Sequence, residues 1–287
     1  MALIPTSFIN SVVTISVENP NHSKFCIGTG FLVGDLKNEA NNKKKYALYL
    51  ITNKHVLRDK NTVYVGFKKA GLIGSYDFPL KLTNNGAKEY SEHPNPNVDI
   101  AAVSINVDFL ASKNAKYSFF AIDENCLTIN QGQEMGLSEG DLVYSIGYPL
   151  NLVGTSSKEP ICRIGCVSRI SDLFVPGHPE VSFIVGAQSF PGNSGGPIIL
   201  RPDSDSLEGT KAIKTSYLLG ILYSYVAYQD PLISQQTGEI YSIMKENSGL
   251  TNVHPVDYII DVVKIEDKRI GGSATLFEKL SDKTDTK

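Results

Sequence analysis

The sequence of 287 residues has no apolar run that approaches the roughly 20 residues needed to cross a bilayer, so we expect no membrane-spanning segment. Its net charge is −3, and no basic stripe interleaved with aromatic residues is present, so nothing in its charge favours binding to nucleic acid. Residues 1–10 contain no Lys or Arg and no clear small-residue cleavage site. These absences predict a protein without a secretory signal that stays in the cytoplasm.

Cysteine is also scarce, with residues only at positions 26, 126, 162 and 166. This spacing fits no zinc-binding pattern, and we expect neither a metal ion nor a cofactor. Cys162 and Cys166 lie on one face of a predicted strand but about 13 Å apart along it, too far for a disulfide bond. We therefore expect four free thiols that serve as small buried apolar side chains.

Short β-prone runs separated by Gly, Pro, Asn and Asp clusters dominate the chain, which is typical of a sandwich or a barrel. The runs are residues 12–17, 30–33, 48–52, 62–67, 100–105, 142–146, 161–168, 181–185, 198–200 and 218–225. The chain exceeds the usual size of a single core, so two packed cores are expected. Pro255, Asp257 and apolar residues at helical spacing predict one amphipathic helix, packed on the second core.

These patterns predict three parts. Residues 1–120 form an N-terminal β-barrel, residues 121–250 a linker and a C-terminal β-barrel, and residues 251–287 a C-terminal helix with a polar tail. The Lys43-Lys44-Lys45 run is interpreted as a solvated hairpin tip. The longest loops predicted are 84–97, 202–215 and 227–249, and the last is either a surface hairpin or a lid or partner-binding loop.

Three polar residues form the candidate site. His55 follows the apolar run 46–52, Asp99 precedes the run 100–105, and Ser194 lies between Gly192 and Gly195. A serine hydroxyl needs a base to become a nucleophile, and the glycines allow a sharp turn in which the N–H groups of Gly192 and Ser194 form one oxyanion hole.

Each piece alone also fits an ordinary turn, a core histidine or a strand-end aspartate. The order His, Asp, Ser is the one found in chymotrypsin-type enzymes, unlike that of subtilisins or α/β-hydrolases. The spacings, 99 − 55 = 44 and 194 − 99 = 95, leave room for several strands in each interval. Order and spacing together favour a catalytic site.

Motifs over about residues 10–265 resemble trypsin-like (chymotrypsin-fold) serine peptidases, in the bacterial branch that includes the high-temperature-requirement proteases. The matching segments are 28–33, 50–57, 98–103, 140–149, 165–168 and 192–198. The resemblance implies an all-β fold of two six-stranded Greek-key barrels with a C-terminal α-helix. It also implies that His55 is the general base and acid, Asp99 its orienting partner and Ser194 the nucleophile. Unlike the high-temperature-requirement proteases, this sequence predicts no PDZ domain.

The same resemblance suggests the substrate-binding residues. Gln188, six places before the nucleophile, would lie at the floor of the primary specificity pocket, with Tyr223 and Tyr225 on the opposite wall. A glutamine cannot neutralise a buried cation, so we predict cleavage after small or medium uncharged residues unless Asp230 or Glu239 enters the pocket.

Residue 193 is Asn, whereas digestive relatives have an aspartate there that pairs with a new amino terminus. We therefore expect control by loop ordering or by a regulatory protein partner. The sequence predicts a serine endopeptidase that acts on protein or peptide substrates through an acyl-enzyme intermediate, as a regulated intracellular processing protease. The alternatives are a catalytically inactive binding or scaffolding protein on the same fold and an esterase with the same triad.

Overall fold

The computed structural model describes residues 4–71, 73–154, 157–177, 179–203 and 212–280, so the predicted loop 202–215 lies largely outside the described residues. The helices are α1 (Thr6–Asn10), α2 (Lys54–Leu57), α3 (Val107–Ser112), α4 (Ile122–Asn125), α5 (Ile129–Met135) and α6 (Val256–Arg269). The strands are β1 (Val12–Glu18), β2 (Lys24–Ala40), β3 (Lys43–Thr52), β4 (Thr62–Lys69), β5 (Ser75–Lys81), β6 (Thr83–Asn84), β7 (Ala87–Lys88), β8 (Ser91–Glu92), β9 (Ala101–Ser104), β10 (Ala115–Lys116), β11 (Phe120–Ala121), β12 (Leu142–Gly147), β13 (Ile161–Arg169), β14 (Phe183–Gly186), β15 (Pro197–Leu200), β16 (Tyr217–Ile233), β17 (Ile240–Pro255) and β18 (Leu276–Leu280).

The N-terminal half is built on a ten-stranded sheet with the order β10-β4-β1-β2-β3-β9-β8, to which β5, β11 and β18 add at β4, β2 and β3. Inward residues such as Ile15, Leu32, Leu50 and Val65 form a fully buried core. This half has four strands more than the expected six-stranded barrel, because the short strands β8, β10 and β11 and the late strand β18 join it. Among the described residues no ladder links β5 to β9.

The C-terminal half is a closed barrel in the order β12-β13-β14-β17-β16-β15, which is a six-stranded Greek key as expected. Its core includes Val143, Val185, Ile198, Leu222 and Val253, all essentially buried. The barrel runs from residue 142 to 255, slightly beyond the predicted boundary at 250. The all-β trypsin-like fold and the C-terminal helix are thereby confirmed.

Helix α6 lies against both halves and not on the second barrel alone. Val256 and Val263 belong to one buried cluster with Ile51 of the first sheet and Ile199 of the barrel. The buried carboxylate of Glu266 accepts hydrogen bonds from Ser91 Oγ (2.8 Å), from Ser104 N–H (3.0 Å) and from the Arg269 guanidinium. The helix therefore fixes the first sheet relative to the barrel, which also fixes the residues at their junction.

One local prediction was wrong, that of a solvated hairpin tip at Lys43-Lys44-Lys45. Lys43, Lys44 and Lys45 lie inside β3, and the hairpin tip is formed by residues 41–42, both with positive φ (52° and 58°). Lys44 Nζ contacts Asp123 and Glu124 at 2.8 Å, so its charge is matched by carboxylates that the sequence pattern did not connect to it. The polar tail contains β18, which pairs with β3 along the same lysines.

Candidate active site

His55 lies where β3 ends and the one-turn helix α2 begins, with 43% of its side chain exposed. The preceding Asn53 fixes this corner, because its Nδ2 donates to the carbonyl of Asp99 at 2.7 Å. Lys54, next to His55, points inward and donates to Asn95 O at 3.1 Å; burial, foremost, lowers its pKa. The loop before β9 and the corner after β3 are thus held together by two direct bonds.

Asp99 binds His55 twice. Its carboxylate accepts from His55 N–H at 3.2 Å and from Nδ1 at 2.5 Å. Burial by itself raises the pKa of Asp99, but the hydrogen bonds and charge interaction with His55 outweigh it and lower that pKa below its ordinary value. An ionised carboxylate can only accept, so Nδ1 carries a proton and Nε2 is the ring nitrogen left to act as a base.

His254 holds the backbone of Asp99 from the other side. Its Nε2 accepts the Asp99 N–H at 3.0 Å, and its Nδ1 donates to Val181 O at 2.9 Å. The ring is fully buried and stacks on Tyr223 with 3.9 Å between ring centroids. Sequence reasoning missed His254, because a histidine near the end of a strand carries no signal of a partner 155 residues away.

Ser194 lies in a loop whose carbonyl groups are nearly all occupied. Pro191 O accepts from Leu150 N–H (2.7 Å), Gly192 O from Thr29 Oγ1 (2.6 Å), Asn193 O from Gly196 N–H (2.9 Å) and Ser194 O from Thr29 N–H (2.9 Å). The loop joins β16 through two further bonds, from Gly195 N–H to Leu222 O and from Leu222 N–H to Gly196 O, both at 2.9 Å. Thr29 and Leu222 therefore hold the loop from both sides.

These bonds orient the two N–H groups that the sequence assigns to an oxyanion hole. In a trans peptide the C=O and the following N–H point in opposite directions. Because the carbonyls of Pro191 and Asn193 point towards the N–H groups that bind them, the N–H groups of Gly192 and Ser194 point the opposite way. Within the part of the chain that the structure describes, neither N–H has a protein acceptor, so both remain available to a ligand.

Glycine is required at two positions of this loop. Gly192 and Gly195 have φ of +97° and +86°, which side chains rarely adopt. A Cβ would lie 2.3 Å from Tyr148 O at the first position and 2.0 Å from Thr29 O at the second. Both the backbone conformation and the close approach of Tyr148 and of strand β2 therefore exclude a side chain.

The backbone brings the serine loop close to the short helix α2 that carries His55. A Cβ built on Gly28 would lie 2.7 Å from Val56 Cγ1 and 3.4 Å from Ser194 O, so the residue after His55 and the serine loop meet at one point of β2. Ser194 is partly exposed. In the described residues no direct hydrogen bond joins Ser194 Oγ to His55. Such bonds are commonly long without substrate and shorten in the bound complex.

The expected substrate-binding residues have different environments. Ala187 and Ser189 are buried, whereas the Gln188 side chain between them is exposed; its backbone carbonyl accepts a hydrogen bond from Arg163 at 3.0 Å. This differs from the expected pocket floor, because alternation along an extended segment turns residue 188 outward when its two neighbours point inward.

Residues of β17 bind the backbone on either side of Gln188. Thr251 Oγ1 donates to Ala187 O at 2.6 Å, and Asn247 Nδ2 donates to Ser189 O. Tyr223 is held against His254, and 41% of Tyr225 is exposed. Asp230 lies five residues past Tyr225 on the same strand, about 16 Å further out at the usual rise, and Glu239 follows the turn beyond it. Both residues are exposed.

The four cysteines are free, as expected. Cys26 and Cys126 are buried, but Cys162 is exposed, because β13 turns that side chain outward. Among the described residues no group of His, Cys, Asp and Glu side chains is arranged to hold a metal ion. No helix in the described part of the chain is long and apolar enough to span a membrane.

The family model described as trypsin-like peptidase domain matches residues 28–204. The MamO protease domain from Magnetospirillum magneticum (apo form) is similar with 16% identity and a TM-score of 0.45, covering 89% of this chain and 96% of that one. No curated protein matches the sequence.

Proposed function

Because the chain belongs to the trypsin-like peptidase domain family, we propose that it is a serine endopeptidase with His55, Asp99 and Ser194 as its catalytic residues. The observation that carries this proposal is the doubly bonded His55–Asp99 pair close to a serine loop in which two N–H groups have no acceptor among the described residues. A structural role alone requires neither a free imidazole nitrogen nor two unpaired backbone donors beside one serine.

In the proposed reaction the Ser194 hydroxyl attacks the carbonyl carbon of the scissile bond while His55 Nε2 takes its proton. The N–H groups of Gly192 and Ser194 bind the oxyanion of the tetrahedral intermediate. His55 then gives its proton to the leaving amine as the C–N bond breaks, which leaves an acyl-enzyme. Water, deprotonated by His55, attacks the ester and restores the serine. Throughout, Asp99 holds the imidazole in the reactive tautomer.

We propose that the enzyme cleaves after small or medium uncharged residues. Ala187, Ser189 and Thr251, the buried residues around Gln188, are uncharged and offer no carboxylate to a substrate cation. A buried Lys or Arg side chain of a substrate would lack a counter-charge, which is costly. The four free thiols support a reducing, cytoplasmic setting, in which we propose a regulated processing role.

A library of internally quenched peptides tests this function, with wild type, Ser194→Ala and Ser112→Ala compared. Ser112 is remote from the site, and its Oγ donates to Phe109 O, so it serves as the matched serine control. We expect cleavage by wild type and Ser112→Ala and none by Ser194→Ala. Turnover of simple esters without any peptide cleavage would favour the esterase. A folded protein that reacts with no substrate would favour the scaffolding alternative.

A further inference from the structure

Strands β16 and β17 continue beyond the barrel as a two-stranded arm, here defined as residues 226–247. Pairing continues from Ala227 with Asn247 to Ile233 with Ile240. The neighbouring strand β14 pairs with β17 only as far as Leu250, so it does not cover the arm. From residue 226 to residue 233 the arm reaches about 23 Å outward at the usual rise per residue. The region predicted as the loop 227–249 is therefore mostly extended strand.

One edge of this arm leads directly to the nucleophile. On the side away from β17, strand β16 pairs with β15 as far as Ile221, and the serine loop then binds Leu222. From Tyr223 to Ile233, no strand of the described chain pairs with that side of β16. An unpaired edge presents a row of N–H and C=O groups that can accept another strand. This row starts beside Ser194.

The arm is also unusually apolar for a surface hairpin. Tyr228, Ile233, Ile240 and Tyr241 are all more than half exposed, with Tyr241 reaching 87%. Residues 226–247 carry only four charges, on Asp230, Glu239, Lys245 and Glu246. A lone two-stranded hairpin is marginally stable in water, and exposed apolar surface of this kind is typical of binding sites.

Pro231 identifies the groups on the free edge. Proline has no N–H to give to a ladder and is found within sheets where its nitrogen faces an unpaired side. Because β17 occupies the other side, the nitrogen of Pro231 faces the free edge. The register is regular between residues 227 and 232, so Ala227 and Gln229, two and four residues before Pro231, turn their backbone polar groups to the same side as Pro231. Their N–H and C=O groups therefore face that edge too.

We propose that the free edge of β16 from Ala227 to Ile233 binds the substrate segment that precedes the scissile bond, as an added antiparallel strand. This inference rests on the proposed function. Strand β16 runs away from Ser194, so an antiparallel substrate runs towards it and leaves its N-terminal residues on the arm. The edge from 223 to 233 spans 233 − 223 = 10 residue steps. The fitting substrate is a protein with roughly ten extended, mainly apolar residues, free of proline, before the cleavage point.

Continuity with the nucleophile favours substrate over a second copy of the chain. Among the described residues no other strand pairs with this edge of β16 between Tyr223 and Ile233, so a strand that enters beside Ser194 can extend along it. A partner docked only at the tip would leave this continuous edge unexplained. The competing explanation is that the arm joins two copies of the chain in a dimer, which would make the arm matter for oligomeric state and not for the cleavage of long peptides.

The test compares two peptides with the same four residues before the cleavage point, one of them extended by six more apolar, β-prone residues. Wild type is expected to cleave the long peptide with a kcat/KM about tenfold higher or more, since several ladder hydrogen bonds are added. N-methylation of backbone amides in the six-residue extension should remove the gain. Six extra residues placed after the cleavage point should give no gain.

The matched variant replaces residues 228–246 by Asn-Gly, which closes Ala227 and Asn247 with a two-residue turn. It keeps every residue of the candidate site and should cleave both peptides with the kcat/KM that wild type has for the short peptide. Gln229→Pro, which removes one outward N–H and no internal ladder bond, should lower only the long-peptide kcat/KM.

Equal kcat/KM for both peptides in wild type would overturn the inference and leave the proposed function intact. So would a wild-type dimer that becomes a monomer on shortening the arm with no change in the ratio of the two rates. Failure of wild type to cleave either peptide, with Ser194 unreactive, would instead overturn the proposed function.

Discussion

Acid is predicted to destabilise this fold through His254. The ring is fully buried, its Nδ1–H is bound to Val181 O, and its Nε2 accepts from Asp99 N–H. Burial, foremost, together with the nearby His93 and Lys54, lowers the pKa of His254 from 6.5 to about 4. Protonation would replace the acceptor at Nε2 by a second donor facing the Asp99 N–H.

The direction and the size of this pH effect on stability follow from the difference between the folded and unfolded pKa of His254. The folded pKa lies below the unfolded one, so the stabilisation is complete above about pH 6.5 and is lost as the pH falls towards about 4. Between about pH 7.5 and 4.5 the free energy of unfolding should fall by about 2.5 kcal/mol on account of His254 alone. Stability would be measured by urea denaturation at both pH values for wild type and His254→Gln.

His254→Gln keeps a donor and an acceptor but does not titrate, so its loss over the same range should be smaller by about 2.5 kcal/mol. His93→Gln is the control, because His93 is a second buried histidine whose pKa is lowered, mainly by burial. That variant should remove only the part of the pH-dependent loss of stability that His93 contributes. Identical pH dependence in wild type and His254→Gln would refute the assigned protonation state and its role beside Asp99.

Three further predictions concern the site and the thiols. His55→Ala and Ser194→Ala should each reduce kcat on the order of 10⁶-fold, and the double variant should lose hardly more. Asp99→Asn should reduce kcat about 10⁴-fold, because it favours the wrong tautomer of His55. Losses that add up in the double variant in peptide assays would contradict this. Gly195→Ala should abolish turnover, because its Cβ would meet Thr29 O at 2.0 Å, while Gly86→Ala, with φ +82° and open space, should cost only about 1 kcal/mol in denaturation and no activity. Mass measurement should show four alkylating groups on the denatured, unreduced protein and rapid native uptake only at Cys162, the one exposed thiol of Cys26, Cys126, Cys162 and Cys166; an uptake of two would show a disulfide.

The sequence predicted the second barrel better than the first. Its strands appear as short apolar runs between turn residues, and the sequence at least partly predicted every strand of this barrel apart from β17. That strand was interpreted as a loop because Ile240–Lys245 alternates too little and belongs to an arm exposed on both faces. In the first half, β5 and β18 carry mixed polar residues and are specified by their partners β4 and β3, which local pattern cannot show.

The candidate site was predictable where glycine and motif order mark it. The bond between His55 and Asp99 matches the expectation from order and spacing. Thr29 and His254 were not predicted, because each acts through a hydrogen bond to the backbone of a residue more than 150 positions away. Gln188 was predicted from a count of residues before the nucleophile, and side-chain alternation decided its direction instead.

The central claim is that Ser194 is a nucleophile activated by His55. Reaction of the folded protein with a fluorophosphonate, followed by peptide mass mapping, tests it most directly. The account predicts one adduct, on Ser194, that also forms in Ser112→Ala, is absent in Ser194→Ala and forms far more slowly in His55→Ala. An adduct on another residue, or no adduct on a folded wild type, would contradict it.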